Sequence, residues 1–251
     1  MRANRLILAL AAVLLWHPAL AADKTWTDPV TGMVYDWVPG GSFVMGCRAQ
    51  HCPESQLPAQ TRSVPGFWLS RTLITRSQWA KVMAQDPSVA KKAGDFPVDQ
   101  VHWLDLTELL KRLNASGHGL YRLPTETEWE YACHGGRPDT LYCGGDDPGK
   151  VAWYIMNSSR GSHAVATRAA NGFGLYDMSG NLWQWTADCW SETLPKQTGA
   201  QAYKDPACEA HVLKGGSWGA YPSQLWASAR RADTDVKCPY IGLRLARTSV
   251  P

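Results

Sequence analysis

The chain has 251 residues and a formal net charge of +3, and two of those charges are Arg2 and Arg5 of an apolar leader, so about +1 remains beyond it. A balance that small excludes an electrostatic case for nucleic acid or an anionic membrane as partner. Thirteen Trp beside 22 Gly and 16 Pro point to a loop-rich fold whose core is built largely from aromatic side chains.

Arg2 and Arg5 precede an apolar run at 6–16 that is too short to span a bilayer, and Ala19-Leu20-Ala21 supplies a small-x-small cleavage site. Residues 1–21 therefore read as a cleavable signal peptide that delivers the chain to the periplasm. Residues 22–251 are expected to form one domain with no membrane span. Met33–Met45 alternates loosely around Pro39-Gly40-Gly41 and predicts two short strands about a turn. The polar Cys47–Pro65 segment reads as irregular, and 66–71 as a strand. Thr75 can cap a helix running to about Ala84. His102–Asn114 is an amphipathic helix, with Trp103, Leu104, Leu106, Leu109, Leu110 and Leu113 on a broad apolar side. In 121–133, Thr125 and Glu128 make a capping box, with Glu126 near the positive helix end, and Gly135-Gly136 stops the helix. Capping explains these carboxylates better than acid–base catalysis does. Residues 137–170 read as loop, followed by Asn171–Trp185, then a polar insertion and strands at 211–214, 227–231 and 241–246.

Seven Cys in an exported chain favour disulfides. Cys47 and Cys52 can close a short loop, and Cys133 and Cys143 can pair across a turn. Cys189 and Cys208 flank the polar insertion, where a crosslink would remove roughly 3 kcal/mol of unfolded-state entropy. Spacing alone leaves the connectivity open, with Cys238 as the leftover thiol. There is no CxxC and no zinc-ligand spacing. Gly215-Gly-Ser-Trp-Gly219 matches a nucleophile-elbow pattern, but no His follows Ser217, so a serine hydrolase is not supported.

Asn171–Trp185 is neither helical nor alternating, with three Gly and two Trp. With Pro39-Gly-Gly-Ser-Phe-x-Met-Gly46, Arg122-Leu-Pro-Thr-Glu-x-Glu-Trp-Glu-Tyr-Ala132, Lys214-Gly-Gly-Ser-Trp218 and Ile241-Gly-Leu-Arg244, it resembles the formylglycine-generating enzyme (sulfatase-modifying factor) family, whose motifs occur in this order. The resemblance implies an α+β domain of C-type-lectin-like fold with little regular secondary structure and frequent calcium binding. Catalytic members oxidise a substrate Cys with oxygen and a copper ion held by two thiolates. The matching positions here are Ala220 and Leu225, and no Cys lies between Cys208 and Cys238. Cuprous ion needs soft thiolates, so neither copper nor formylglycine-generating activity is expected. The family's core disulfide is also altered, because Leu245 stands opposite Cys133.

By the same resemblance, a structural calcium ion would take the Asp177 and Gln184 side chains and the carbonyls of Gly180 and Leu182. Trp183 and Ser217 match the family's substrate groove. With Trp218, Tyr221 and Arg230 they compose a surface suited to recognition. The leading expectation is an exported, non-catalytic regulator, a periplasmic activator that binds the outer part of a membrane Ser/Thr kinase controlling type VI secretion. The alternatives are a periplasmic oxidoreductase of siderophore (pyoverdine) maturation with non-copper chemistry, and a carbohydrate or cell-wall binder.

Overall fold

The computed structural model describes residues 25–90 and 92–248, so the expected leader lies outside it. Strands β1 (Thr25–Thr27), β2 (Val34–Val38) and β3 (Gly41–Met45) come first, then β4 (Gln60–Val64) and β5 (Phe67–Ser70). Helices α1 (Arg76–Met83) and α2 (Trp103–Ala115) follow, then β6 (Leu120–Arg122), α3 (Glu126–His134) and a single turn α4 (Pro148–Val151). Strands β7 (Trp183–Cys189), β8 (His211–Lys214), β9 (Arg230–Asp233), β10 (Ile241–Gly242) and β11 (Ala246–Thr248) complete the chain.

An antiparallel five-stranded sheet has the order β1-β2-β5-β11-β6. A four-stranded sheet has the order β10-β7-β8-β9, with only the β10–β7 pair parallel, and β3 and β4 form a separate ribbon. Helix α3 touches β3, β4, β7 and β8 and so joins the ribbon to the second sheet. Trp79, Trp129 and Trp185 are fully buried, in keeping with a core assembled from large rings.

The expected cap at Thr75 and capping box at Thr125–Glu128 both form, and Thr75 makes a full capping box with Gln78. Thr75 Oγ1 accepts from Gln78 N while Thr75 N donates to Gln78 Oε1, and Thr125 and Glu128 do the same. Each is worth about 1 kcal/mol. Gly135 closes α3 at a φ of 57°. Three disulfides form as expected, Cys47–Cys52, Cys133–Cys143 and Cys189–Cys208, and Cys238 is a free thiol. They fit folding in an oxidising compartment. No helix among the described residues is long and apolar enough to cross a membrane.

The structure departs from the sequence reading in four places. Leu104, expected on the apolar side of α2, is 75% exposed, because two residues carry it roughly 200° round the helix from the buried Leu106. The segment read as irregular contains β4, whose inward position is filled by Arg62 (1% exposed) where a hydrophobic residue would have signalled a strand. The strand expected at 227–231 begins only at Arg230, because Ala229 N is turned back to Trp226 O. The strand expected at 241–246 splits into β10 and β11 in different sheets, and Arg244 sits buried at the crossing.

Candidate binding cleft

The cleft stands on buried charge. Glu126 of α3 accepts from Arg230 through both oxygens, at 2.6 and 2.9 Å. Glu130, one turn on, accepts from Lys214 Nζ at 2.8 Å and from Gly46 N at 2.7 Å. Burial pushes the Glu126 carboxyl up, but Arg230, Lys214 and Arg62 outweigh it and hold the group below its ordinary range. The adjacent Asp188 has no such partner. It accepts from Glu126 N and Tyr203 N, and burial with the Glu126 charge raises it to about 7. The carboxylates of α3 therefore cap and pair, and none faces open solvent as an acid–base catalyst would.

Above this base, two clefts of about 330 and 340 Å³ lie side by side and share Trp183, Gln224 and Arg231. Ser217, Trp218, Ala220, Tyr240 and Arg160 line the first, and Trp226 and Arg230 line the second. The Trp218 and Tyr240 rings pack at 4.6 Å, and Trp218 Nε1 donates to Pro239 O. Ser158 Oγ donates to Trp218 O, and Ser217 Oγ accepts from Gly219 N. The wall is thus fixed by backbone contacts, which lowers the ordering cost of binding. Of the five expected groove residues, Trp183, Ser217 and Trp218 meet in the first cleft. Tyr221 stands beside it, 62% exposed. Arg230 borders the second, but its guanidinium is turned inward to Glu126, Ser55 O and Ser191 O. The cations that remain on this surface are Arg160 and Arg231, which sequence reasoning missed. Strand alternation could have found Arg231, since an inward Arg230 in β9 puts its neighbour outward.

Ala220 and Leu225 flank one point. A Cβ added at Gly216 would lie 2.5 Å from Leu225 Cδ2 and 3.3 Å from Ala220 Cβ. The two positions that match the family's copper ligands are therefore spatial neighbours, and both are apolar and buried here. Neither side chain can ligate a metal.

Asn171–Trp185 forms the inner support of the same cleft. Its backbone turns through positive φ at Gly174, Asp177, Gly180 and Asn181, which explains the missing periodicity. At Gly180 a Cβ would lie 2.3 Å from Trp153 O, so the turn requires glycine. The Gln184 amide, expected as a calcium ligand, does not present a free oxygen to a cation. Gln184 Oε1 accepts from Trp129 Nε1 at 2.7 Å and from Arg244 Nε at 2.6 Å. Those two donors fix the amide orientation, so Nε2 must donate, and it does, to Asp177 O at 2.8 Å. The Asp177 carboxylate accepts from Ala166 N and Asn181 Nδ2, and burial raises it, with Arg244 opposing. Gly180 N and Leu182 sit in the same turn, with Gly180 N donating to Gly215 O. Arg244 also donates to Ser70 O and Tyr176 O, so a guanidinium ties together what an ion was expected to pin.

Residues 20–249 match the model of the sulfatase-modifying factor enzyme 1-like domain, and the chain belongs to that family. The bovine (Bos taurus) formylglycine-generating enzyme is 27% identical over 84% of this chain and 59% of its own length. The Ser/Thr-protein kinase pkn1 of Chlamydia caviae is 24% identical over 92% of this chain and 40% of its own length. The chain thus spans about half the length of these curated relatives. Among solved structures, PvdO from Pseudomonas aeruginosa is similar with a TM-score of 0.79 at 22% identity, over 91% of this chain and 98% of that one. The fold is the α+β, C-type-lectin-like fold of the formylglycine-generating enzymes.

Two outcomes follow from the buried groups. Arg244→Leu strips a donor from three buried acceptors and should cost about 3–5 kcal/mol in urea unfolding. The wild-type midpoint should be the same in millimolar calcium as in chelator. Asp188, raised when folded, holds a proton that the unfolded chain has lost above about pH 4. Its contribution to stability therefore falls as pH rises from about 4 to about 7. Asp188→Asn should gain on the wild type across that window, by on the order of 3 kcal/mol, when urea unfolding is repeated at each pH.

Proposed function

We propose that this chain is an exported, non-catalytic binding protein whose cleft receives a segment of a partner protein. The observation that carries this reading is the cleft itself. Its wall is formed by the half-buried rings of Trp218 and Tyr240 backed by the buried Trp183, and Ala220 and Leu225, which the family resemblance matches to thiolate positions, are apolar and buried. Large rings on a rigid wall provide contact area at low entropic cost. The partner we propose is the periplasmic part of a membrane Ser/Thr kinase that controls type VI secretion, and the chain would act as its activator. Similarity over 92% of this chain to a Ser/Thr-protein kinase from Chlamydia supports a link between such domains and kinases. A periplasmic oxidoreductase of siderophore maturation is the second reading. The likeness to PvdO that favours it is one of fold, and fold does not carry activity.

The test is capture of the kinase ectodomain on immobilised mature protein, wild type and Gln224→Trp. Gln224 is exposed and borders both clefts, so a Trp there fills the junction without entering the core. The wild type should retain the ectodomain, and the variant should lose at least about tenfold in affinity, as a central contact does. Oxygen uptake with a peptide precursor and no retained ectodomain would contradict the reading.

A further inference from the structure

Arg160 and Arg231 face the same cleft, and among the described residues no Asp or Glu lines either half of it. Arg160 is exposed and sits in an unusual turn, because it and Ser159 both take positive φ, 61° and 52°. Two consecutive non-glycine residues in that region are costly, and such conformations persist where surrounding structure over-determines them. Here the surroundings do so. Asn157 bonds Tyr154 N and Ala152 O, His163 Nε2 bonds Ser158 O, and Ser158 Oγ bonds Trp218 O. The turn thus presents a guanidinium at the cleft edge with its backbone locked to the aromatic wall. Arg231 makes one long ion pair, Nη2 to Asp233 Oδ2 at 3.8 Å, while Asp233 Oδ1 accepts from Asp235 N and Val236 N. It is exposed and held far more loosely than Arg230, whose guanidinium donates to Glu126 at 2.6 and 2.9 Å. An apolar lip runs along the same edge, where Ile155 lines the cleft and its N donates to Ala220 O, with the exposed Met156 and Tyr221 beside it.

Resting on the reading of this cleft as a partner-binding site, we propose that its occupant is an extended acidic peptide segment. Carboxylate side chains would meet Arg160 and Arg231, and an apolar side chain between them would lie on Trp218 and Tyr240, the half-buried rings of the wall. Guanidinium forks match carboxylates bidentately, and in a half-enclosed cleft the pairing is less screened than on an open surface. Two clefts joined at Trp183 and Gln224 offer more length than a compact small molecule fills, which favours a segment of chain.

The experiment uses three fluorescein-labelled ten-residue peptides of one design, with an Asp-Ile-Asp-Tyr-Glu core, its Asn/Gln counterpart and its Lys counterpart. Anisotropy titrations use oxidised mature protein, wild type and the double variant Arg160→Gln/Arg231→Gln, with near-UV circular dichroism as the folding control. Both Arg are exposed, so the variant is expected to fold. The acidic peptide should bind the wild type at least about tenfold tighter than the Asn/Gln peptide, with the Lys peptide weakest. The preference should collapse in 0.5 M salt and in the double variant. Acidic peptide should also displace a captured kinase ectodomain. Equal binding of all three peptides, or an unchanged preference in the double variant, would overturn the acidic assignment. If Gln224→Trp still releases the ectodomain in that case, the partner-binding reading survives and only the charge assignment fails. If Gln224→Trp retains the ectodomain, the cleft is not the binding site and both fall.

Discussion

Glu126 and Glu130 lie on one short helix, and both are almost completely buried. Removing carboxylates from water costs several kcal/mol each, and only close cations can offset that. The fold is arranged to supply them. Lys214 arrives at the end of β8, Arg230 at the start of β9 and Arg62 from the middle of β4. One helix thereby fixes where the ribbon, the second sheet and the cleft wall meet. Arg230 also carries Ser55 O and Ser191 O into the same knot, so two loops are ordered by one guanidinium. An isolated ion pair adds little to stability, but a buried one that loses a member becomes costly. The cluster is thus a constraint on which arrangement can exist.

That constraint separates the base of the cleft from its mouth. Below, Arg230 is spent on Glu126; above, Arg231 is turned outward, and alternation along a single strand produces both. The second support is Arg244, fully buried, with burial lowering it to about 10 while Asp177 and Asp36 oppose. It bonds Gln184, Ser70 and Tyr176. The turn is closed by the Gln184 amide and the Arg244 guanidinium. Ala220 and Leu225, which the family resemblance matches to copper-binding thiolate positions, are apolar and buried. What remains is a rigid aromatic cleft with cationic edges.

Much of this was legible in the residues. The Thr75 cap, the Thr125–Glu128 capping box, helix α2 and the glycine stop of α3 followed from spacing and composition, and the three cysteine pairs suggested there, whose connectivity spacing left open, are the ones that form. Such features are local, and local chemistry decides them. Trp183, Ser217 and Trp218, which the family motifs singled out, line one cleft. The failures share one cause, which is charge inside the protein. Arg62 hid β4, because an Arg at an inward strand position reads as exposed. Arg244 hid the division of the last strand for the same reason. Gln184 was read as an oxygen ligand because its composition allows it. Its orientation is set by Trp129 and Arg244, which approach from 55 and 60 residues away. Arg160 left no trace, since its turn is fixed by contacts to Ala152, His163 and Trp218 and not by a turn-forming dipeptide.

The central claim is that the Trp183–Trp218–Tyr240 cleft is where this protein meets its partner. Amide hydrogen exchange on the mature protein, free and saturated with the kinase ectodomain, tests it most directly, because it reports contact residue by residue without altering the chain. Binding there predicts new protection concentrated at 155–161 and 217–224. A complex that forms while those amides exchange unchanged, with protection instead on the β3–β4 ribbon, would contradict it.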